Sequence, residues 1–202
     1  MVFWLLGLVV AALVLAEAVI VGIDSYQHRQ NQKWIEEHPH TAQPSNTLVV
    51  FFSRSGNTEI MARKIAELKQ ADILPLQSAR NRIGLFGHIE ALQDARNTSA
   101  DIRPKTVDLS GYDTVYIGSP VWLYSPAPQV YEFAKSNDFS GKKVILFNSM
   151  NSKFEQKYID DFARIIRQNG GEFVRHVYII RGRMGRQMSQ AEFLREVENK
   201  LE

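Results

Sequence analysis

Residues 47–59 read TLVVFFSRSGNTE, and this stretch decides the fold. The apolar run 48–52 stops at a cluster of hydroxyl, Gly and Asn residues, and a helix-compatible stretch, 60–68, follows at once. That is the pattern of a buried strand, a tight loop and a helix. Ser53, Ser55, Asn57 and Thr58 offer short hydrogen-bonding side chains, and Gly56 lets the backbone come close to a ligand. The start of the helix leaves unpaired N–H groups facing the same concavity, so the loop suits a phosphate. Neither GxxxxGK[ST] nor GxGxxG occurs here, which excludes the nucleotide-hydrolysing loop and the dinucleotide fingerprint. An ordinary strand-to-helix turn capped by Asn57 or Thr58 is the competing reading.

Strand and helix patterns continue to alternate beyond this point. A short strand, 72–76, carries Pro75, which suits an edge position. Residues 77–112 form a long crossover with one helix near 88–96. A third strand, 113–118, runs into SPVWLYSPAPQV, with a helix at 129–136 behind it. In an extended loop Trp122 and Tyr124 project to the same side and offer two flat apolar surfaces. The fourth strand, 142–147, opens into Asn148, Ser149, Met150, Asn151 and Ser152, ahead of a helix over 156–169. Gly170-Gly171 ends that helix, the fifth strand spans 172–180, and an amphipathic helix closes the chain at 190–201. His176 lies inside the strand pattern and reads as structural. The pattern predicts an α/β doubly wound fold with a five-stranded parallel sheet in the order 2-1-3-4-5.

Three segments carry a resemblance to the flavodoxin family. The Ser-x-Ser-Gly-Asn-Thr pattern of Ser53, Ser55, Gly56, Asn57 and Thr58, with Arg54 at the free position, resembles the loop that holds the terminal phosphate of FMN. The segment Ser119, Pro120, Val121, Trp122, Leu123 and Tyr124 is similar to the family's loop against the flavin ring. Asn148, Ser149 and Asn151 fall where family members place a third flavin-contacting loop, often glycine-rich. This one has no Gly. A helix-capping role for that loop stays open beside the flavin role. The resemblance implies noncovalent FMN binding and electron transfer with a redox partner, the cofactor carrying the chemistry. An NAD(P)H-dependent FMN quinone reductase is the enzymatic alternative, and a flavin-free interaction module is the third.

Global properties narrow the classes further. The 202 residues are 45% hydrophobic and 23% charged, enough for one sizeable core. No Cys is present, which excludes disulfides, thiolate metal sites and thiol catalysis. The net charge of +2 is too small to argue for nucleic acid binding. It also departs from the acidic balance usual among flavodoxins of the soluble shuttle type. Residues 2–23 are nearly unbroken in apolarity and predict a transmembrane anchor; a cleaved signal peptide is the lesser alternative. Glu17 near the end of this run snorkels toward the interface or pairs with another membrane helix. Arg29 and Lys33 follow the run and no basic residue precedes it, which predicts a single-pass cell-membrane protein with its carboxyl-terminal domain in the cytoplasm. Residues 24–46 read as a polar linker whose first part, through Glu37, extends the helix. His38 and His40 in it lack metal-ligand spacing. The domain proper is 47–202. Finally, Arg181, Arg183 and Arg186 make a basic loop on the same sheet edge as the candidate flavin loops, suited to an acidic redox partner, anionic lipid or a nicotinamide phosphate.

Overall fold

The computed structural model describes residues 2–41, 44–80, 82–182 and 187–202, without the side chains of residues 2, 3, 5, 6, 9, 10 and 13. The sheet is built on β1, Thr47–Phe51, in which the apolar run becomes a central strand. It pairs in parallel with β2, Asp72–Pro75, on one side and with β3, Thr114–Trp122, on the other. Beyond β3 lie β5, Lys143–Met150, and β6, Glu172–Ile180, both parallel. The strand between them in sequence, β4, is only Ser125–Pro126 and pairs antiparallel with β3. The sheet thus has six strands in the order β2-β1-β3-β5-β6, with β4 attached to β3.

Alternation along the strands divides the apolar residues between two cores. Val50, Val115, Ile117, Val144 and Leu146 face helices α4, Pro128–Ser136, and α5, Gln156–Gln168, through Tyr131, Phe133 and Phe162. Val49, Phe51, Tyr116, Ile145 and Phe147 face α2, Asn57–Lys69, and α6, Gln190–Leu201, through Ile60, Ile65, Phe193 and Val197. A sheet covered on both faces explains why its central strands are near-continuous apolar runs rather than alternating ones. The crossover helix is α3, Leu85–Asp94.

Three expectations about the strands need correction. The sheet has six strands, not five, because Leu123 and Tyr124 adopt left-handed conformations, φ 42° and 76°. They make a two-residue hairpin turn between Trp122 and Ser125. No Gly or Asn marks this turn, so sequence patterning passed over it. Consequently, residues 119–122 are the end of β3 rather than an extended loop, with Trp122 on the strand and Tyr124 in the turn. Asn148 and Ser149 likewise belong to β5. The first part of the linker, through Glu37, is helical as expected: helix α1 runs without interruption over Val2–Glu37.

The second half of α1 packs on the domain. Asn31 is fully buried and Ile35, one turn on, joins the core beside Ile60 and Ile65. Glu17 lies 3.7 Å from His88 of α3, and Asp24 pairs with Arg54 at 2.5 Å. The expected anchor over 2–23 finds no support here: among the described residues no helix is long and apolar enough to cross a membrane. There is a geometric reason to redraw it as well. With the helix docked from Glu17 onward, residues 2–16 reach about 22 Å, short of a hydrocarbon core of about 30 Å. Trp4, Leu8, Val14, Leu15 and Val19 are each more than half exposed and leave that part of α1 apolar on its surface.

Candidate functional site

In a parallel sheet of this order, β1 and β3 diverge in the helices they lead to, and a crevice opens at their carboxyl ends. The loop after β1 turns at a glycine. Gly56 takes φ 91°, and its N–H donates to Ser53 Oγ at 3.1 Å. No side chain caps α2, which leaves its first N–H groups without a side-chain partner. Thr58 is buried and its hydroxyl lies 2.8 Å from Ser149 Oγ, which ties the loop to β5.

A cavity of about 400 Å³ occupies this crevice, within the range of small-molecule sites. Ser53, Arg54, Ser55, Asn57 and Thr58 line one end. Pro120, Val121, Trp122, Leu123 and Tyr124 line the other, with Ser149 and Asn151 between. The two walls demanded by the strand order are therefore both present. Trp122 is held edge-on against Phe52, ring centroids 5.8 Å apart. Tyr124 has Lys153 5.0 Å and Arg96 6.0 Å from its ring centre.

Three sequence candidates do not line the cavity. Gly56 is covered by Asn31. Ser119 is buried in β3, where its hydroxyl accepts from the Ala127 N–H at 3.1 Å. Asn148 is fully buried in the sheet: its amide nitrogen donates to Ser119 O at 2.7 Å and to Ser119 Oγ at 3.2 Å, while its oxygen accepts from His176 Nε2 at 2.8 Å. Ser119, Asn148 and His176 thereby fix β3, β5 and β6 to one another.

His176 donates from Nε2, and burial lowers its pKa to about 4. Its value in the unfolded chain is about 6.5, so the stability it contributes is present above that pH and is lost as pH falls toward 4. His176→Gln, which stays neutral, is expected to lose less stability than the wild type between pH 7 and pH 4. Thermal melts across that interval measure it, and parallel curves would refute it.

The sequence reading missed the wall supplied by α1. Ile20, Ile23, Asp24 and Gln27 border the cavity, and Gln27 donates to Gln187 ahead of α6. Asn31 Nδ2 donates to Ser55 O at 2.9 Å and to Asn57 Oδ1 at 2.7 Å. The one legible signal was a polar Asn and an apolar Ile at i, i+4 within the supposed linker. Arg181 was expected in a basic loop on the same sheet edge as the candidate flavin loops; it is buried, lines the cavity and donates from Nη1 to Asn57 Oδ1. Arg183 and Arg186 lie outside the described residues. Among the described residues no cluster of His, Cys, Asp or Glu could hold a metal ion.

The Flavodoxin family model matches residues 88–170, from α3 through α5, fewer than half of the 202. No curated protein matches the chain. A structure from Bacteroides uniformis ATCC 8492, provisionally assigned as a flavoprotein, aligns with TM-score 0.58 at 20% identity over 77% of this chain and 99% of its own. A similarly assigned protein from Bacteroides eggerthii DSM 20697 aligns with TM-score 0.56 at 16% identity, covering 78% and 99%. A flavoprotein from Lactobacillus acidophilus NCFM, solved in complex with FMN, aligns with TM-score 0.51 at 21% identity, covering 66% and 92%. By its sheet order and by these alignments, the chain has a flavodoxin-like α/β fold.

Proposed function

We propose that this protein binds FMN noncovalently in the crevice between β1 and β3 and exchanges electrons with a redox partner. One observation carries the reading: a hydroxyl-rich loop at a helix N-terminus and an aromatic hairpin face each other across a single cavity of about 400 Å³. The residues fit the group. Ser53, Ser55, Asn57 and Thr58, with the first amides of α2, suit the phosphate; Trp122 and Tyr124 suit the flat ring. The similarity to a flavoprotein solved with FMN supports the same choice. Bound FMN would supply one- and two-electron transfer. The protein's part is to hold the ring, exclude water and keep the apolar wall of Ile20 and Ile23 over the crevice.

Tethering at a cell membrane through residues 2–23, with the domain on the cytoplasmic side, is part of the proposal and rests on the sequence. A full span requires the contacts of Glu17 to Ile23 with the domain to open. In the docked arrangement only the exposed apolar part of α1 enters the bilayer.

Reduction of a quinone is the second reading, and an apolar rim favours it: Leu92 and Leu123 border the cavity and are 47% and 44% exposed. Steady-state assay of purified full-length protein with NADPH and a soluble quinone separates the two. An electron carrier reduces quinone only when a separate reductase is added. Turnover without one would establish the enzyme reading.

A further inference from the structure

Two arginines border the loop end of the cavity, and their charges are handled differently. Arg54 is charge-matched by Asp24 at 2.5 Å, although its Nη1 is buried without a partner. Arg181 is 7% exposed, and among the described residues no carboxylate pairs with it. Its Nη1 donates to Asn57 Oδ1, the side chain that opens α2, while its Nε is buried without a partner. The guanidinium lies 5.2 Å from the ring centre of Phe193, which holds it from behind. Its backbone is fixed too: the Arg181 N–H donates to Met150 O at 2.8 Å, and Arg181 O accepts from the Met188 N–H at 2.7 Å. A charge held this rigidly in a buried place, with an unsatisfied donor, is costly unless an anion arrives.

We propose that Arg181 is the fixed counter-charge of the phosphate end of the cavity, so that the site selects a phosphorylated flavin over the same flavin without its phosphate. The inference rests on the FMN reading above and adds to it the group that sets selectivity. A phosphate monoester carries a charge of about −1.5 to −2 at pH 7, and a guanidinium meets its oxygens with charge-assisted hydrogen bonds. Burial lowers the Arg181 pKa only to about 10, so the cation persists at neutral pH. Hydroxyls and helix amides alone would recognise phosphate by geometry; Arg181 adds a full charge where the apolar floor of Phe193 strengthens it.

The test is titration of full-length protein in mild detergent with FMN and, separately, with riboflavin, followed by flavin fluorescence. Wild-type protein is expected to bind FMN far more tightly than riboflavin. Arg181→Met should weaken FMN by roughly tenfold or more, the scale of one charge-assisted contact, and leave riboflavin within about twofold. Arg181→Lys should fall between, keeping the charge without the planar fork. Because a buried unpaired cation is removed, the flavin-free Arg181→Met protein should melt no lower than wild type.

Equal weakening of both flavins, or an unchanged FMN affinity, would show that Arg181 only shapes the pocket. Should Arg181→Met fail to fold, Arg181→Lys and the wild-type ratio decide: equal affinity of wild type for the two flavins overturns the inference while leaving flavin binding intact. Wild-type protein that binds neither flavin removes the FMN reading itself.

Discussion

Gly118→Ala is expected to destabilise the domain by about 3 kcal/mol, the upper part of the range for overpacking a dense core. Gly118 sits in β3 between β1 and β5, and a Cβ there would lie 2.0 Å from Phe147 Cζ and 2.1 Å from Cε2. Neither partner has room to give. Phe147 is fully buried among Phe51, Tyr116, Ile145 and Phe193, and Gly118 is pinned by parallel pairing on both sides. For a chain of this size the melting temperature should fall by roughly 6–12 °C. Phe147→Leu in the same chain removes the ring atoms that collide, so the double variant should recover part of the loss. Additive losses from the two changes, or a single variant that melts with the wild type, would show that the ring is not confined as described.

Gly56→Val should weaken FMN binding by about 100-fold, or about 2.7 kcal/mol, while leaving the sheet folded. Two effects combine at this residue. A β-branched side chain at φ 91° is strained whatever surrounds it. A Cβ would also lie 2.7 Å from Asn31 Cβ, so either the loop turns over or α1 lifts away. Turning the loop breaks the Gly56 N–H bond to Ser53 and withdraws Ser55 O from Asn31. Lifting α1 opens the wall formed by Ile20 and Ile23. Gly56→Ala paired with Asn31→Gly separates the causes, because the second change removes the colliding carbon and leaves the backbone strain. Affinity recovered in that pair assigns the effect to α1. Wild-type affinity in Gly56→Val would mean that the loop does not meet the cofactor.

The parts of this fold that were legible in sequence are those held by local chemistry. β6 and α6 were expected over 172–180 and 190–201, and both have those bounds. Gly170 at φ 83° ends α5 ahead of β6, and Ser189 with Glu192 forms a capping box at the start of α6. The central strand and the glycine turn after it were visible for the same reason. What escaped notice depends on residues far apart in the chain. Leu123 and Tyr124 carry no turn signature; their hairpin is tied down by Glu155, whose N–H donates to Tyr124 O at 2.9 Å. Asn31 looks solvated by sequence and is buried only because Ser55 and Asn57 meet it. Asn148 looks like a ligand group and is spent on Ser119 and His176. Arg181 stood at the right edge of the sheet in the sequence reading, but nothing local told that it turns inward.

The central claim is that the loop after β1 and the hairpin after β3 together hold FMN. Titration of the purified full-length protein with FMN, following quenching of flavin fluorescence and the shift of the visible bands, tests it most directly. Saturation at one FMN per chain, with Kd of about 1 μM or tighter, is the predicted result. A fluorescence trace identical to that of free FMN up to about 100 μM would contradict it.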